Sequence, residues 1–83
     1  MELKEIITEG ELKTYYFGAS FIEVYWSHPS LEEGVYYRFL FTASKESFVS
    51  VTAIRPLRGL YIKRKPKIML PHAISLVKNL IED

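Results

Sequence analysis

The chain has 83 residues, of which 48% are hydrophobic and 25% charged, with a formal net charge of +1. That composition is typical of one small globular domain and excludes a disordered segment. The absence of cysteine excludes disulfides and thiolate metal sites. No apolar run approaches the roughly 20 residues that span a bilayer, and the N-terminal residues do not match a signal peptide. The sequence therefore predicts a single soluble domain over residues 1–83, and we expect it in the cytoplasm.

The first part of the chain predicts a sheet. Residues 1–10 fit either a short helix or an edge strand. From residue 12 to residue 70, aromatic and β-branched residues alternate with short turn-forming segments, which is typical of antiparallel strands joined by tight turns. Pro66 has no N–H to donate and places the last strand at an edge. Four or five strands are predicted, at residues 12–17, 21–27, 35–43, 48–55 and 60–70.

An amphipathic helix is predicted over residues 71–83. It begins at Pro71, since a proline costs no hydrogen bond in the first turn. One stripe is apolar and the opposite stripe is polar. The fold class is therefore α+β, an antiparallel meander of four or five strands with one C-terminal helix as its only cover. The apolar stripe contains Ala73, Ile74, Leu76, Val77, Leu80 and Ile81, and the polar stripe contains Ser75, Lys78, Asn79 and Glu82.

The strand predicted at residues 35–43 carries large side chains on both faces, because successive residues of a strand point to opposite sides. One helix covers only one face. The other face is therefore expected to pair with a second copy or to bind a ligand. A homodimer would also supply burial that a chain this short lacks. Val35, Tyr37, Phe39 and Phe41 share the first face, and Tyr36, Arg38, Leu40 and Thr42 share the second.

Basic residues are concentrated in the C-terminal half. Six of the eleven Lys and Arg residues fall between Arg55 and Lys67, with no acidic residue among them. Residues 1–33 carry a net charge of −5 and residues 34–83 a net charge of +6. Such an asymmetry indicates a polyanionic partner or self-association.

The segment 60–70 favours nucleic acid as that partner. In an extended chain its Tyr and Lys side chains share one face and recur about every 6.6 to 6.8 Å, close to the spacing of phosphates along a single strand. Cations for the backbone and rings for the bases are what single-strand binders combine. Lysines that protect an edge strand from aggregation, and tyrosines that pack on a sheet, are the structural alternatives. The predicted nucleic-acid-binding residues are Tyr36, Arg38, Arg55, Arg58, Tyr61, Lys63, Lys65 and Lys67.

Residues suited to catalysis are few. His28 and His72 are the two histidines and have no metal-ligand spacing, and no cysteine can act as a nucleophile. The isolated glycines form no phosphate-binding loop. Adjacent Glu32 and Glu33 point apart, which suits an acid and base pair poorly. We therefore expect no metal, no cofactor and no enzymatic activity, with a small metal-free ribonuclease as an open alternative.

The stretch Arg64-Lys65-Pro66-Lys67-Ile68-Met69-Leu70, followed by the helix, resembles the single-stranded nucleic-acid-binding group that includes the positive cofactor four coactivators and the Pur-alpha-like domains. The resemblance implies four strands crossing over a C-terminal helix, a homodimer and a curved sheet face that binds single strands. It also implies contacts to nucleic acid from Lys65 and Lys67, with Ile68 and Leu70 buried under the helix. Phe48-Val49, Ile54-Arg55 and Gly59-Leu60-Tyr61 are similar to a pattern of the stage-five sporulation G regulators, which also bind nucleic acid.

The sequence thus predicts a homodimeric, non-enzymatic protein that binds nucleic acid, single-stranded rather than duplex, with transcription regulation as a fitting role. A protein-binding adaptor or inhibitor module, which docks its partner on the aromatic sheet face, is the alternative function.

Overall fold

The computed structural model describes residues 1–56 and 70–82. The strands form one antiparallel sheet in the order β1-β2-β3-β4, which confirms the predicted α+β meander. Four predicted strands agree with the observed bounds to within one residue. The fifth, at residues 60–70, lies outside the described residues except for Leu70, which begins a helix. The elements are α1 (Leu3–Glu9), β1 (Glu11–Phe17), β2 (Phe21–Ser27), β3 (Tyr36–Thr42), β4 (Phe48–Ile54), α2 (Leu70–Lys78) and a final 3-10 turn (Asn79–Ile81).

One face of the sheet, the inner face, lies under both helices. The indole N–H of Trp26 donates to the backbone carbonyl of Ile7 at 3.3 Å, which joins β2 to α1. A cluster of large apolar side chains is buried between the inner face and the two helices, and this burial is the main source of stability for a sheet of this size. The buried cluster contains Ile22, Val24, Trp26, Phe39 and Phe41 from the sheet, Ile6 and Ile7 from α1, and Ala73, Leu76 and Val77 from α2.

The N-terminal segment is a helix. The Glu5 carboxylate accepts a hydrogen bond from the backbone N–H of Glu2 at 3.1 Å, and this partly caps the first turn. The helix ends at Gly10, whose N–H donates to the carbonyl of Ile6 at 3.1 Å. Because α1 buries Ile6 and Ile7 against the sheet, the expectation that the C-terminal helix alone covers the sheet is wrong.

The junction between α1 and β1 requires a glycine for steric reasons. A Cβ atom on Gly10 would overlap the carbonyl oxygen of Ser27 and would lie 2.8 Å from Cδ1 of Trp26. The backbone can therefore pass directly over the end of β2 only when this side chain is absent. This close approach holds α1 over the inner face.

The predicted stripe of α2 is confirmed. Its inward positions are buried or half-buried and its polar positions are exposed. The helical conformation ends at Ile81, before the predicted end, because Glu82 has extended backbone angles of φ −83° and ψ 142°. Leu70 is 52% exposed, so the burial that the family resemblance implied for it is wrong. Within the described residues, neither helix is long and apolar enough to cross a bilayer.

Candidate functional site

The opposite face of the sheet, the outer face, lies away from both helices in the part of the chain that the structure describes. Strand register assigns its residues, since Tyr16 pairs with Glu23 and Glu23 with Leu40. Most of these side chains are half-buried by their neighbours, but Phe21 is 43% exposed. The outer face contains Thr14 and Tyr16 of β1, Phe21, Glu23 and Tyr25 of β2, Tyr36, Arg38 and Leu40 of β3, and Ser50, Thr52 and Ile54 of β4.

Three polar side chains meet at the centre of the outer face. The Tyr25 hydroxyl donates to Oε1 of Glu23 at 2.7 Å, and Nη1 of Arg38 lies 3.9 Å from the same oxygen. Arg38 stands directly across from Tyr25 in the β2–β3 pair. Its Nε is buried and finds no hydrogen-bond partner among the described residues. The ion pair between the Arg38 guanidinium and Glu23 is therefore long and lies on a partly exposed surface, where such pairs contribute little.

The environment of this cluster raises the pKa of the Tyr25 phenol to about 12. Burial is the largest cause, since it disfavours the phenolate, and the hydrogen bond to Glu23 and the charge of Glu23 add to it. The positive charge of Arg38 acts in the opposite direction but is outweighed. The hydroxyl of Tyr25 is thus a fixed donor at neutral pH.

Tyr36 and Arg38, two of the predicted binding residues, lie together on the outer face. They are two residues apart on β3, so their side chains leave the same side about 6.6 to 6.8 Å from each other. Tyr36 pairs with Ile54 at the end of β4. Arg58, Tyr61, Lys63, Lys65 and Lys67 lie outside the described residues.

Arg55, which directly follows β4, is engaged with the β2–β3 loop. Its guanidinium pairs with the Glu32 carboxylate at 3.0 Å and donates to the carbonyl oxygen of Glu33 at 3.1 Å. It also lies against Gly34, where φ is +87° and an added Cβ would be 2.5 Å from Nη1. Arg55 is more than half exposed, so this contact is weak and screened by salt. Glu32 and Glu33 are thus the partners of this arginine in the β2–β3 loop.

Glu23 is a residue of the candidate site that sequence reasoning missed. Alternation along β2 could have found it, because Glu23 has the same parity as Phe21 and Tyr25. Its side chain is only 24% exposed, and a sequence read strand by strand gives no sign that Arg38 comes close to it. The charge at the centre of the outer face is therefore set by a cross-strand pair.

A second polar cluster surrounds His28, whose side chain is only 3% exposed. The backbone N–H of Ser30 donates to Nδ1 at 3.0 Å, so Nδ1 is an acceptor and Nε2–H donates to Oε1 of Glu9 at 3.2 Å. An open cleft of about 480 Å³ lies beside it, lined by Glu9, Gly10, Glu11, Ser27, His28 and Pro29. Because both ring nitrogens have partners within the protein, we interpret His28 as a link between α1 and the β2–β3 loop.

The histidines give no support to a ribonuclease. His28 follows β2, near the start of β3, whereas His72 contacts Glu46 in the β3–β4 turn at 3.0 Å. The two rings therefore lie at opposite ends of the sheet and cannot act on one phosphate. Among residues 1–56 and 70–82, no group of three or more His, Asp or Glu side chains could hold a metal ion.

The described residues and the segment 57–69 differ in charge. The described residues contain six Lys and Arg against nine Glu, a net charge of −3, and residues 57–69 contain five Lys and Arg and no acid. Pro56 and Leu70, which flank this segment, lie at opposite ends of the sheet, since Ile54 pairs with Tyr36 while His72 contacts Glu46.

Comparison with protein-family models, curated proteins and solved structures finds no match to the chain.

Proposed function

We propose that the protein binds single-stranded nucleic acid, without catalysis, through the outer face of its sheet. One observation carries the proposal. Tyr25 and Tyr36 are both neighbours of Arg38 on a face that lies away from both helices, Tyr25 directly across from it on β2 and Tyr36 two residues before it on β3. Unpaired bases can stack on such rings, whereas the bases of a duplex are already stacked on one another.

Phosphate contacts come, in this proposal, from the basic segment that follows β4. Aromatic rings supply stacking but no charge, and Arg38 is already opposed by Glu23. Arg58, Lys63, Lys65 and Lys67 supply the cations that single-strand binders place along the nucleic-acid backbone. The absence of cysteine suits the reducing environment of the cytoplasm, where we place this activity.

Replacing Tyr36 by Ala should weaken binding by about 1 to 3 kcal/mol, the contribution of one base stacked on an aromatic ring. The slope of log affinity against log salt should not change, because a ring displaces no counterions. The measurement is fluorescence anisotropy with a labelled oligothymidine at several salt concentrations. Tyr36→Phe is the matched control, since it keeps the ring and should bind like the wild type. An equal loss in both variants would show that the ring does not stack a base.

The proposal includes a homodimer. The acidic residues 1–33 and the basic residues 34–83 are complementary in charge. Phe48 and Val49, at the start of β4, are 38% and 48% exposed. Sedimentation should give a dimer that dissociates as salt is raised. A monomer at low salt and tens of micromolar protein, a concentration that reports even weak association, would exclude it.

A protein-docking module is the second candidate. The observation that favours it is the apolar content of the outer face, where Phe21, Leu40 and Ile54 share the surface with the charge pair of Arg38 and Glu23. Exposed apolar surface around a few polar groups is typical of protein interfaces. If the wild-type protein binds neither single-stranded DNA nor RNA at low salt, the first proposal is wrong and this one replaces it.

A further inference from the structure

Glu23 occupies an unusual position for a protein that binds a polyanion. It lies in the middle of β2, with Tyr16 across from it on one side and Leu40 on the other. Its side chain is only 24% exposed and lies between tyrosine and leucine residues of the neighbouring strands. Placing a carboxylate there has a desolvation cost, and its ion pair with Arg38, at 3.9 Å, is too long to offset much of it.

Arg38 cancels the charge of Glu23 only in part, because Nη1 lies 3.9 Å from Oε1 and the nearer partner of that oxygen is the uncharged Tyr25 hydroxyl, at 2.7 Å. At Tyr25, the hydrogen bond and the charge of Glu23 raise the phenol pKa more than the charge of Arg38 lowers it. Phosphodiester groups approaching the centre of the face would therefore meet a carboxylate whose charge is incompletely cancelled. At the low dielectric of such a contact, repulsion between like charges is strong over several ångströms. Uncharged base rings experience no such repulsion, and their N–H groups can donate to the carboxylate.

We propose that Glu23 is a specificity-determining residue, which keeps phosphates away from the centre of the outer face and so selects strands that present unstacked bases. The inference rests on the proposed single-strand binding. Polyanions without bases should bind weakly, although they carry the same backbone charge.

The test compares two probes of equal length, oligothymidine and the corresponding abasic strand, which has every phosphate but no base. For the wild type we expect clearly tighter binding of oligothymidine. Glu23→Gln keeps the shape and an acceptor for Tyr25 but removes the charge. This variant should bind the abasic strand roughly tenfold more tightly than the wild type does. The slope of log affinity against log salt for the abasic strand should steepen by about 0.7, for one added phosphate contact. Binding of oligothymidine should change much less.

Glu82→Gln is the matched control, because it removes one negative charge at an exposed position after α2, away from the outer face. It should leave the preference between the two probes unchanged. Glu23→Asp keeps the charge and should preserve the wild-type preference. If Glu23→Gln loses its cooperative melting transition, Glu23→Thr, which is neutral and favourable in a strand, takes its place with the same expected result.

The outcomes separate the two proposals. If the wild type binds oligothymidine but Glu23→Gln keeps the full preference over the abasic strand, the role of Glu23 is wrong and single-strand binding stands. If Glu23→Gln and Glu82→Gln raise the affinity for the abasic strand equally, the effect comes from net charge alone and the proposed role of Glu23 is also wrong. If the wild type binds neither probe, the proposed function fails and the inference fails with it.

Discussion

Replacing Phe39 by Ala should lower the free energy of unfolding by about 3 to 5 kcal/mol, the usual cost of deleting a buried aromatic ring. Phe39 is fully buried at the centre of the inner face. Its ring contacts Trp26 edge-on at a centroid distance of 6.1 Å and lies 6.5 Å from Phe48. A domain of 83 residues is stable by only about 4 to 12 kcal/mol, so this single change removes much of the total. Urea denaturation measures the loss.

Leu40→Ala is the matched control for that prediction. Leu40 is the next residue of the same strand and is half-buried on the outer face, so its replacement should cost about 1 kcal/mol or less. The comparison tests the assignment of faces independently of any ligand. Equal losses would mean that the two faces of β3 are buried alike, and the outer face would then be no candidate for binding.

Much of the fold was predictable because its signal is local. Alternation of large side chains with turn residues located the four described strands, since strand period and turn chemistry are both set by near neighbours. The 3.6-residue stripe from Ala73 to Ile81 identified the inward face of α2 for the same reason. Such features depend on the order of the residues along the chain, and the structure confirms them.

The role of the first ten residues was not predictable from local signals. Leu3, Ile6 and Ile7 have helical spacing, but an isolated helix of this length is unstable in water. Its stability comes from contacts distant in sequence, such as the hydrogen bond from Trp26 to Ile7 and the close approach of Gly10 to Ser27. Packing on β2, and not propensity, decides its conformation.

The candidate site was predictable in part. Strand parity placed Tyr36 and Arg38 on one face, and the structure confirms that they share it. Parity on a single strand cannot give the register between strands, which brings Glu23 close to Arg38. Nor does it show that Arg55 contacts Glu32, because the β2–β3 loop folds back through a glycine with positive φ. Electrostatic partners on different strands are fixed only when the sheet forms.

Lys63 and Lys65 of the basic segment are expected to contribute much of the affinity for single strands. Replacing both Lys63 and Lys65 by Ala should weaken single-strand binding roughly tenfold to a hundredfold at low salt and flatten the log-affinity slope against log salt by about 1.4, or about 0.7 for each lost phosphate contact. The loss should be the same for oligothymidine and oligoadenosine, since phosphates carry no base identity. This pattern differs from that of Tyr36→Ala, which should lower affinity at constant slope. Anisotropy titrations at four or more salt concentrations separate the two.

The matched control removes the same charge elsewhere. Lys4 and Lys78 are exposed on the two helices, and the helices lie against the inner face. Lys4→Ala with Lys78→Ala should therefore reduce binding only slightly, through the long-range field of the protein, and should leave the slope close to that of the wild type. If both double variants flatten the slope equally, nucleic acid is attracted by net charge and has no defined contact with Lys63 and Lys65. If only the Lys63 and Lys65 variant does so, the phosphates lie along the segment that follows β4, with the bases free to reach Tyr25 and Tyr36.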